Sequence, residues 1–218
     1  MFSESIRQWS RCSLALTLAI GCTLFFSDIP SFALDVLRIE EHWELSVGGP
    51  DEARCAPQVS MVMAPTSNLN SDYFVFSLNH WSYPEFSPGG LEVQQWDGEQ
   101  WVSSHHGTNF SLLQSDGEIV TWIQRLELTG SLLSFEIVDG HSQTWGQFGG
   151  QGHLRVVAPT ELTCLNDYRP SVSFDGSGIG YAGNRVSSLT LRKLVWVTSD
   201  GVEHELAAPI DIDTDIDP

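Results

Sequence analysis

The sequence has few basic residues. The chain of 218 residues contains 10 Lys and Arg against 28 Asp and Glu, which gives a formal net charge of −18 at pH 7. A surface with this excess of carboxylates repels nucleic acid and anionic lipid. The composition therefore excludes nucleic acid and other polyanions as partners.

Long apolar runs are also scarce, and the longest lies near the N-terminus at Cys12–Phe26. It is shorter than the roughly 20 residues of a membrane-spanning helix. Arg7 and Arg11 precede it and Ser31-Phe32-Ala33 follows it, a pattern typical of a secretory signal peptide. We predict cleavage after Ala33 and a protein that is secreted, periplasmic or held at the cell surface. The alternative is a lipid-modified Cys22.

Cysteine is rare as well. Two of the four cysteines lie in the predicted signal peptide, which leaves Cys55 and Cys164. An even pair in an exported protein favours one disulfide, and closing a loop of about 100 residues stabilises a fold by roughly 4 to 5 kcal/mol in the chain-entropy model. The alternative is a pair of buried thiols.

No segment shows sustained helical periodicity, whereas period-two alternation recurs along the chain. In Leu37–Val47 the apolar residues fall on one side and the polar residues on the other, with Glu41 as the exception. This pattern predicts half-buried strands. The other predicted strands are Val59–Met63, Tyr73–His80, Leu91–Trp96, Glu118–Leu128, Leu132–Val138, Leu154–Val157, Leu189–Val197 and Val202–Leu206.

Five Asp-Gly pairs lie between or beside these strands, and such pairs favour tight hairpin turns. They are Asp97-Gly98, Asp116-Gly117, Asp139-Gly140, Asp175-Gly176 and Asp200-Gly201. Many short strands joined by hairpins predict an all-β, antiparallel two-sheet sandwich or jelly roll, with a closed barrel as the alternative. We predict one sandwich domain over residues 34–208 and an acidic tail over residues 209–218.

The strand rhythm of Arg125–Phe148, together with the closing strand Asn184–Leu194, resembles the concanavalin-A-like lectin and glucanase sandwiches. The resemblance implies a jelly-roll fold and an association with polysaccharide. Sandwich glucanases carry a cluster of the form Glu-x-Asp-x-x-Glu or Glu-x-Asp-x-Glu on one strand, and this chain has none. The resemblance therefore implies the fold without the catalytic residues.

Other motifs lack the context that their chemistry needs. Gly178–Gly183 has the letters of a dinucleotide-binding loop, but a predicted strand follows where a helix must begin, so we expect a plain loop. Gly140–Thr144 differs at one position from the Gly-x-Ser-x-Gly nucleophile elbow, because Thr144 replaces the second glycine. His105 and His106 are placed in a loop, and no cysteine or carboxylate spacing completes a metal site with them. The acidic tail makes calcium conceivable, but a calcium-loop glycine and glutamate are missing.

Tryptophan is what the chain has in abundance, with seven in residues 34–218. An exposed indole stacks on the apolar face of a sugar while nearby amides bind its hydroxyl groups. Trp43 and Trp122 lie on the inward sides of their predicted strands, so we assign them to the core. The candidate ligand-binding residues are Trp81, Trp96, Trp101, Trp145 and Asn79.

These observations predict a non-catalytic, lectin-like protein that binds a neutral polysaccharide or another component of the cell envelope, without a cofactor. Two alternatives stay open. One is a structural or interaction protein of the envelope whose tryptophans all belong to the core. The other is an unrecognised polysaccharide hydrolase or lyase, which requires paired carboxylates or a histidine beside a tyrosine or arginine in the same cleft.

Overall fold

The nine predicted strands all form, together with three further strands, in the computed structural model, which describes residues 34–48, 57–79, 90–113, 115, 117–150, 152–181 and 185–212. The predicted signal peptide, Cys55 and Trp81 lie outside the described residues. The strands are β1 Val36–Val47, β2 Gln58–Met63, β3 Asp72–Leu78, β4 Leu91–Asp97, β5 Gln100–His106, β6 Ile119–Thr129, β7 Leu132–Ser142, β8 Gly146–Phe148, β9 Arg155–Pro159, β10 Gly178–Tyr181, β11 Val186–Thr198 and β12 Glu203–Asp211. A short helix, α1, spans Pro170–Gly176.

The strands pair into two antiparallel sheets, which confirms the predicted sandwich. The seven-stranded sheet has the order β12-β11-β1-β6-β7-β8, and β9 also pairs with β7. The five-stranded sheet has the order β10-β2-β3-β4-β5. All of the pairings recorded between strands are antiparallel.

Aromatic rings from both sheets meet in the interior. Phe74 of β3 stacks on Phe135 of β7 with ring centroids 5.3 Å apart, and Phe76 meets the Trp122 ring edge-on at 5.8 Å. Trp43 lies opposite Trp122 on the neighbouring strand, and the two rings are stacked at 6.3 Å. Both tryptophans are buried, as the alternation of their strands predicted. These contacts define the core between the sheets.

The helix α1 is a feature that the sequence analysis did not predict. Pro170 occupies its first turn, where a missing N–H costs nothing. Phe174 meets the Trp43 ring edge-on at 6.1 Å, and the Ser177 hydroxyl accepts a hydrogen bond from the Val62 amide at 2.8 Å. The helix therefore connects β2 of one sheet with the interior of the other. Asp175-Gly176, predicted as a hairpin turn, ends this helix instead.

Two of the five predicted Asp-Gly turns are confirmed, Asp139-Gly140 and Asp175-Gly176 were placed wrongly, and Asp116 of the remaining pair lies outside the described residues. Asp97-Gly98 and Asp200-Gly201 lie in the β4–β5 and β11–β12 connections, and both glycines have positive φ. Asp139-Gly140 lies inside β7, directly after a register shift that leaves Val138 as an extra residue opposite β6, and the turn follows later, before β8. The glycine is needed there for packing, because a Cβ on Gly140 would lie 2.1 Å from Cε2 of Phe148.

Two further predictions about loops were wrong. His105 and His106 are the last residues of β5, and Gly178–Tyr181 forms β10 at the edge of the five-stranded sheet. The sheet also extends into the predicted acidic tail. Strand β12 runs to Asp211, whose carboxylate accepts a hydrogen bond from the Leu189 amide at 3.1 Å.

The predicted disulfide stays a prediction. Cys164 is a half-buried free thiol in the structure, and its expected partner Cys55 lies outside the described residues. Within the described part of the chain, no helix is long and apolar enough to cross a membrane.

Candidate functional site

The predicted tryptophans fall into two environments. Trp96 of β4 is half-buried and Trp101 of β5 is 58% exposed, whereas Trp145 is 5% exposed. The Trp145 indole donates a hydrogen bond to the Ser111 carbonyl at 2.8 Å and meets the Phe148 ring edge-on. Trp145 therefore packs as part of the core, beside a small cleft.

Asn79 also has a structural position. It is fully buried, with a positive φ of 56°. Its amide donates to the Pro57 carbonyl at 2.6 Å and its side-chain oxygen accepts from the Leu113 amide at 2.9 Å. Asn79 thus ties together three chain segments, and neither it nor Trp145 lies with Trp96 and Trp101.

Strand alternation places Tyr73 and Trp96 on the outer face of the five-stranded sheet, and a register shift in β5 brings Trp101 to the same side. Phe74 and Phe76 of β3 point into the core, so Tyr73 points outward. Tyr73 pairs in register with Trp96, and their rings are stacked with centroids 6.3 Å apart and an interplanar angle of 9°. Trp96 pairs in turn with Trp101 across the β4–β5 hairpin. We call these three residues the aromatic strip.

Hydrogen-bonding side chains continue the same face along β4. The Trp96 indole donates to Oε1 of Gln94 at 2.8 Å, and Nε2 of Gln94 donates to Oε2 of Glu92 at 2.8 Å. Nε2 of His106, on β5, lies 3.4 Å from Oε1 of Glu92. We call Glu92, Gln94 and His106 the polar row. Glu92 and Gln94 share a face because they are two residues apart on β4, and His106 joins them because it pairs with Glu92 across the β4–β5 hairpin.

The protonation state and exposure of these groups suit hydrogen bonding to a neutral ligand. Burial raises the pKa of the Tyr73 hydroxyl above its ordinary value of 10, so this hydroxyl stays protonated and able to donate at neutral pH. Gln94 keeps one amide N–H and one oxygen lone pair beyond its two hydrogen bonds. Glu92 is buried, so it orients Gln94 and His106.

A second cluster of polar groups lies inside the sandwich. Glu41 is fully buried and its Oε2 accepts hydrogen bonds from Trp43 Nε1 at 2.9 Å and from Gln124 Nε2 at 2.6 Å, while Oε1 accepts from the Tyr168 hydroxyl. Burial raises the pKa of Glu41. No solvent-exposed residue takes part, so this cluster is structural. Glu41 interrupts the apolar side of β1, and this break in the alternation is the sequence signal for the buried polar cluster.

The outer face of the seven-stranded sheet differs from the face with the aromatic strip, because it carries ion pairs. Arg125 of β6 forms an ion pair with Glu40 of β1 at 2.7 Å, and Arg192 of β11 lies 3.9 Å from Glu44. A shallow groove crosses this face, lined by side chains such as His42, Thr121, Asp139 and Arg192. In the described part of the chain, no three His, Cys, Asp or Glu side chains are grouped so as to hold a metal ion.

Comparison with known proteins adds little. No protein-family model and no curated protein matches the chain. Among solved structures, the ancestral congerin Con-anc is 14% identical, with 65% of this chain and 92% of that chain covered and a TM-score of 0.31. Scytalido-glutamic peptidase, solved with a transition state analog inhibitor, is 10% identical, with 80% and 82% covered and a TM-score of 0.33. Likeness at this level carries no argument about function.

Proposed function

We propose that this protein is an exported, non-catalytic glycan-binding protein, and that its binding surface is the aromatic strip together with the polar row. The observation that carries the proposal is the Tyr73–Trp96 stack beside the exposed Trp101, on one sheet face with Gln94. Aromatic faces bind the apolar side of a pyranose, and amide groups bind its hydroxyls. The two antiparallel sheets form a β-sandwich, which is the general fold that the concanavalin-A-like resemblance implies.

The fixed positions of the rings support this proposal. The Tyr73 and Trp96 rings are stacked on each other on the outer side of the sheet, and Trp101 adds a third, exposed ring on the edge strand. The hydrogen bond from Trp96 to Gln94 fixes the plane of the indole. Side chains already held by such contacts lose little side-chain entropy when a ligand binds, which favours affinity.

Along β4 the spacing of carboxylates differs from that of a glycoside hydrolase. Glycoside hydrolysis requires two carboxyl groups about 5 to 10 Å apart. The polar row contains Glu92, and the next carboxylate along β4 is Asp97, five residues further. Five residues of extended strand span about 16 Å, which is too far for the two groups to act on one bond.

The test is a titration of the intact protein with soluble glycans, followed by tryptophan fluorescence and by acrylamide quenching. A bound glycan is expected to protect Trp101 from quenching, and Trp101→Ala or Trp96→Ala is expected to weaken binding about tenfold by removing a stacking face. Trp196→Phe is the matched control. Trp196 stacks on His204 at 5.4 Å, in the seven-stranded sheet and away from the strip.

One class of result would contradict the proposal. If every glycan class left the fluorescence and quenching unchanged, the strip would not be a glycan site. The envelope-protein alternative would then be favoured, because Trp43, Trp122 and Trp145 already belong to the core. If a glycan were bound and also cleaved, the hydrolase alternative would replace the non-catalytic proposal.

A further inference from the structure

A small cleft beside Trp145 lies apart from the aromatic strip. It is found where the segment after β5 faces β8, so residues of both sheets line it. Leu91, Trp145 and Phe148 are all buried and form the apolar part of its wall. The polar side chains of the wall are Thr108, Asn109, Gln147 and His153. An apolar lining with a few convergent polar groups is typical of a small-molecule site.

Hydrogen bonds across the cleft fix its shape. The Trp145 indole donates to the Ser111 carbonyl at 2.8 Å. The Asn109 amide donates to the Thr144 carbonyl at 3.3 Å, so two bonds join the segment after β5 to the turn before β8. The buried Glu118 holds that turn, because it accepts hydrogen bonds from the Thr144 amide at 2.8 Å and from the Thr144 hydroxyl at 2.6 Å. The cleft is therefore preformed, which favours affinity for a ligand.

The wall of the cleft is uncharged at neutral pH. The described side chains that line it include no Asp, Glu, Lys or Arg, although the protein carries a net charge of −18. A charged ligand group would lose solvation in such a cleft without gaining an ion pair, so an uncharged group is favoured.

Two amide side chains of the wall keep capacity for further hydrogen bonds. The Asn109 oxygen accepts from the Ser111 amide at 3.0 Å, in addition to the bond that the Asn109 amide donates to Thr144. The Gln147 amide donates to Oδ1 of Asp139 at 2.7 Å. After these bonds, Asn109 and Gln147 each retain at least one N–H and one oxygen lone pair. They can therefore bind a group that both donates and accepts.

The volume of the cleft limits what it can hold. The volume is about 80 Å³, against roughly 30 Å³ for one water molecule in the liquid, so the cleft holds a group of a few non-hydrogen atoms and not a whole sugar ring. An acetamido group is of that size. Its methyl group suits the apolar wall, and its N–H and carbonyl suit the free oxygen and N–H of the two amide side chains.

We propose that this cleft is a second ligand site, separate from the aromatic strip, and that it binds the acetamido group of an N-acetylated sugar. The methyl group lies against Leu91 and Phe148, and Asn109 and Gln147 bind the amide. The sugar ring stays outside, where the exposed Thr108 offers a hydroxyl. The site itself is inferred from the cleft alone, and only the choice of a sugar as the carrier of the group rests on the proposed function.

The experiment titrates the full chain with N-acetylglucosamine and with glucose, which carries a hydroxyl in place of the acetamido group. The measured signal is the Trp145 indole N–H in a ¹H–¹⁵N NMR spectrum, assigned with Trp145→Phe. We expect N-acetylglucosamine to shift this signal saturably and to bind about tenfold more tightly than glucose. Gln147→Ala is expected to weaken that binding by about two- to tenfold, because it removes one hydrogen bond.

Gln100→Ala is the matched control, because Gln100 is also an exposed glutamine on an edge strand and lies outside the cleft. It is expected to leave the affinity unchanged. Equal losses in the two variants, equal affinity for the two sugars, or an unchanged Trp145 signal would each overturn the inference. The proposed function is judged separately by the signals of Trp96 and Trp101. A response of Trp145 without any response of those two would support the cleft and remove the strip.

Discussion

Glu41 is one of the residues at which the interior departs from an apolar sandwich core. It lies between Ile39 and Trp43 on the inward side of β1, and its carboxylate is fully buried. Among the described residues, however, no Lys or Arg hydrogen-bonds to it. An unpaired buried charge is costly, and burial accordingly raises the pKa of this group. The hydrogen bonds from Trp43, Gln124 and Tyr168 oppose that effect only in part.

The raised pKa makes a prediction about stability and pH. A carboxyl group whose folded pKa exceeds its unfolded value of 4.5 contributes stability that is complete below pH 4.5 and is lost as pH rises through the folded pKa. We expect Glu41→Gln, which removes the charge at nearly the same size, to be at least as stable as the wild type at pH 7. Its advantage should be greater at pH 8 than at pH 5, measured as the free energy of unfolding in urea.

The matched variant Glu41→Leu separates charge from hydrogen bonding. It leaves donors of Trp43, Gln124 and Tyr168 without an acceptor, at a cost of about 1–3 kcal/mol for each. A Glu41→Gln protein that lost as much stability as Glu41→Leu at every pH would contradict this account.

Glu40, the next residue, predicts the opposite dependence on pH. The His42 imidazole foremost, and the guanidinium groups of Arg125 and Arg38, lower the pKa of Glu40 to about 2 against the opposing effect of burial. A depressed carboxyl pKa contributes stability above pH 4.5 that is lost as pH falls toward 2. After allowance for solvent screening, Glu40→Gln should cost about 1–2 kcal/mol at pH 6 and much less at pH 2.5.

Urea unfolding at those two pH values provides the measurement. Glu136→Gln is the control, because Glu136 lies in a looser, more exposed pair with Arg155 at 3.7 Å. A loss of stability for Glu40→Gln that stayed constant between pH 6 and pH 2.5 would show that the ion pairs are not its cause.

At the scale of elements, alternation predicted the strands whose two sides differ in polarity and failed for the others. Strand β1 has a clear apolar side, so the sequence identified it nearly to the residue. Strand β5 is an exposed edge strand rich in Ser and His, and it has no apolar side to detect. Helix α1 has seven residues, too few to show helical periodicity. Asp139-Gly140 was misassigned because the same dipeptide suits a turn and a close contact within a strand.

The packing of Gly140 in β7 gives a prediction for that element. A Cβ there would lie 2.1 Å from Cε2 and 2.4 Å from Cζ of the buried Phe148 ring. We expect Gly140→Ala to lower the free energy of unfolding by about 1–3 kcal/mol through overpacking, measured by thermal or urea unfolding. Gly107→Ala is the control, since its nearest neighbour is the Leu91 Cβ at an ordinary 3.5 Å.

The double variant Gly140→Ala/Phe148→Leu identifies the cause of the loss. If the Phe148 ring is responsible, the smaller side chain should recover part of the stability, and the two substitutions should be clearly non-additive. Strict additivity would locate the cost in the backbone of β7 and not in the ring.

For the whole molecule, the candidate site depends on long-range pairing that no local pattern reveals. The sequence singled out Trp96 and Trp101 because they flank an Asp-Gly turn, and the register of β4 with β5 brings them together. Tyr73 joins them only through the pairing of β3 with β4, across 23 positions of sequence. Asn79 and Trp145 looked equally suitable in sequence, but burial by distant segments gives them structural contacts instead.

The most direct test of the central claim is a two-dimensional ¹H–¹⁵N NMR spectrum of the indole N–H groups, recorded with and without a glycan and assigned by single Trp→Phe variants. The account predicts that a bound glycan shifts the Trp96 and Trp101 signals and leaves those of the buried Trp43 and Trp122 in place. Shifts confined to other tryptophans, or none with any glycan, would contradict the claim that the aromatic strip is a glycan-binding surface.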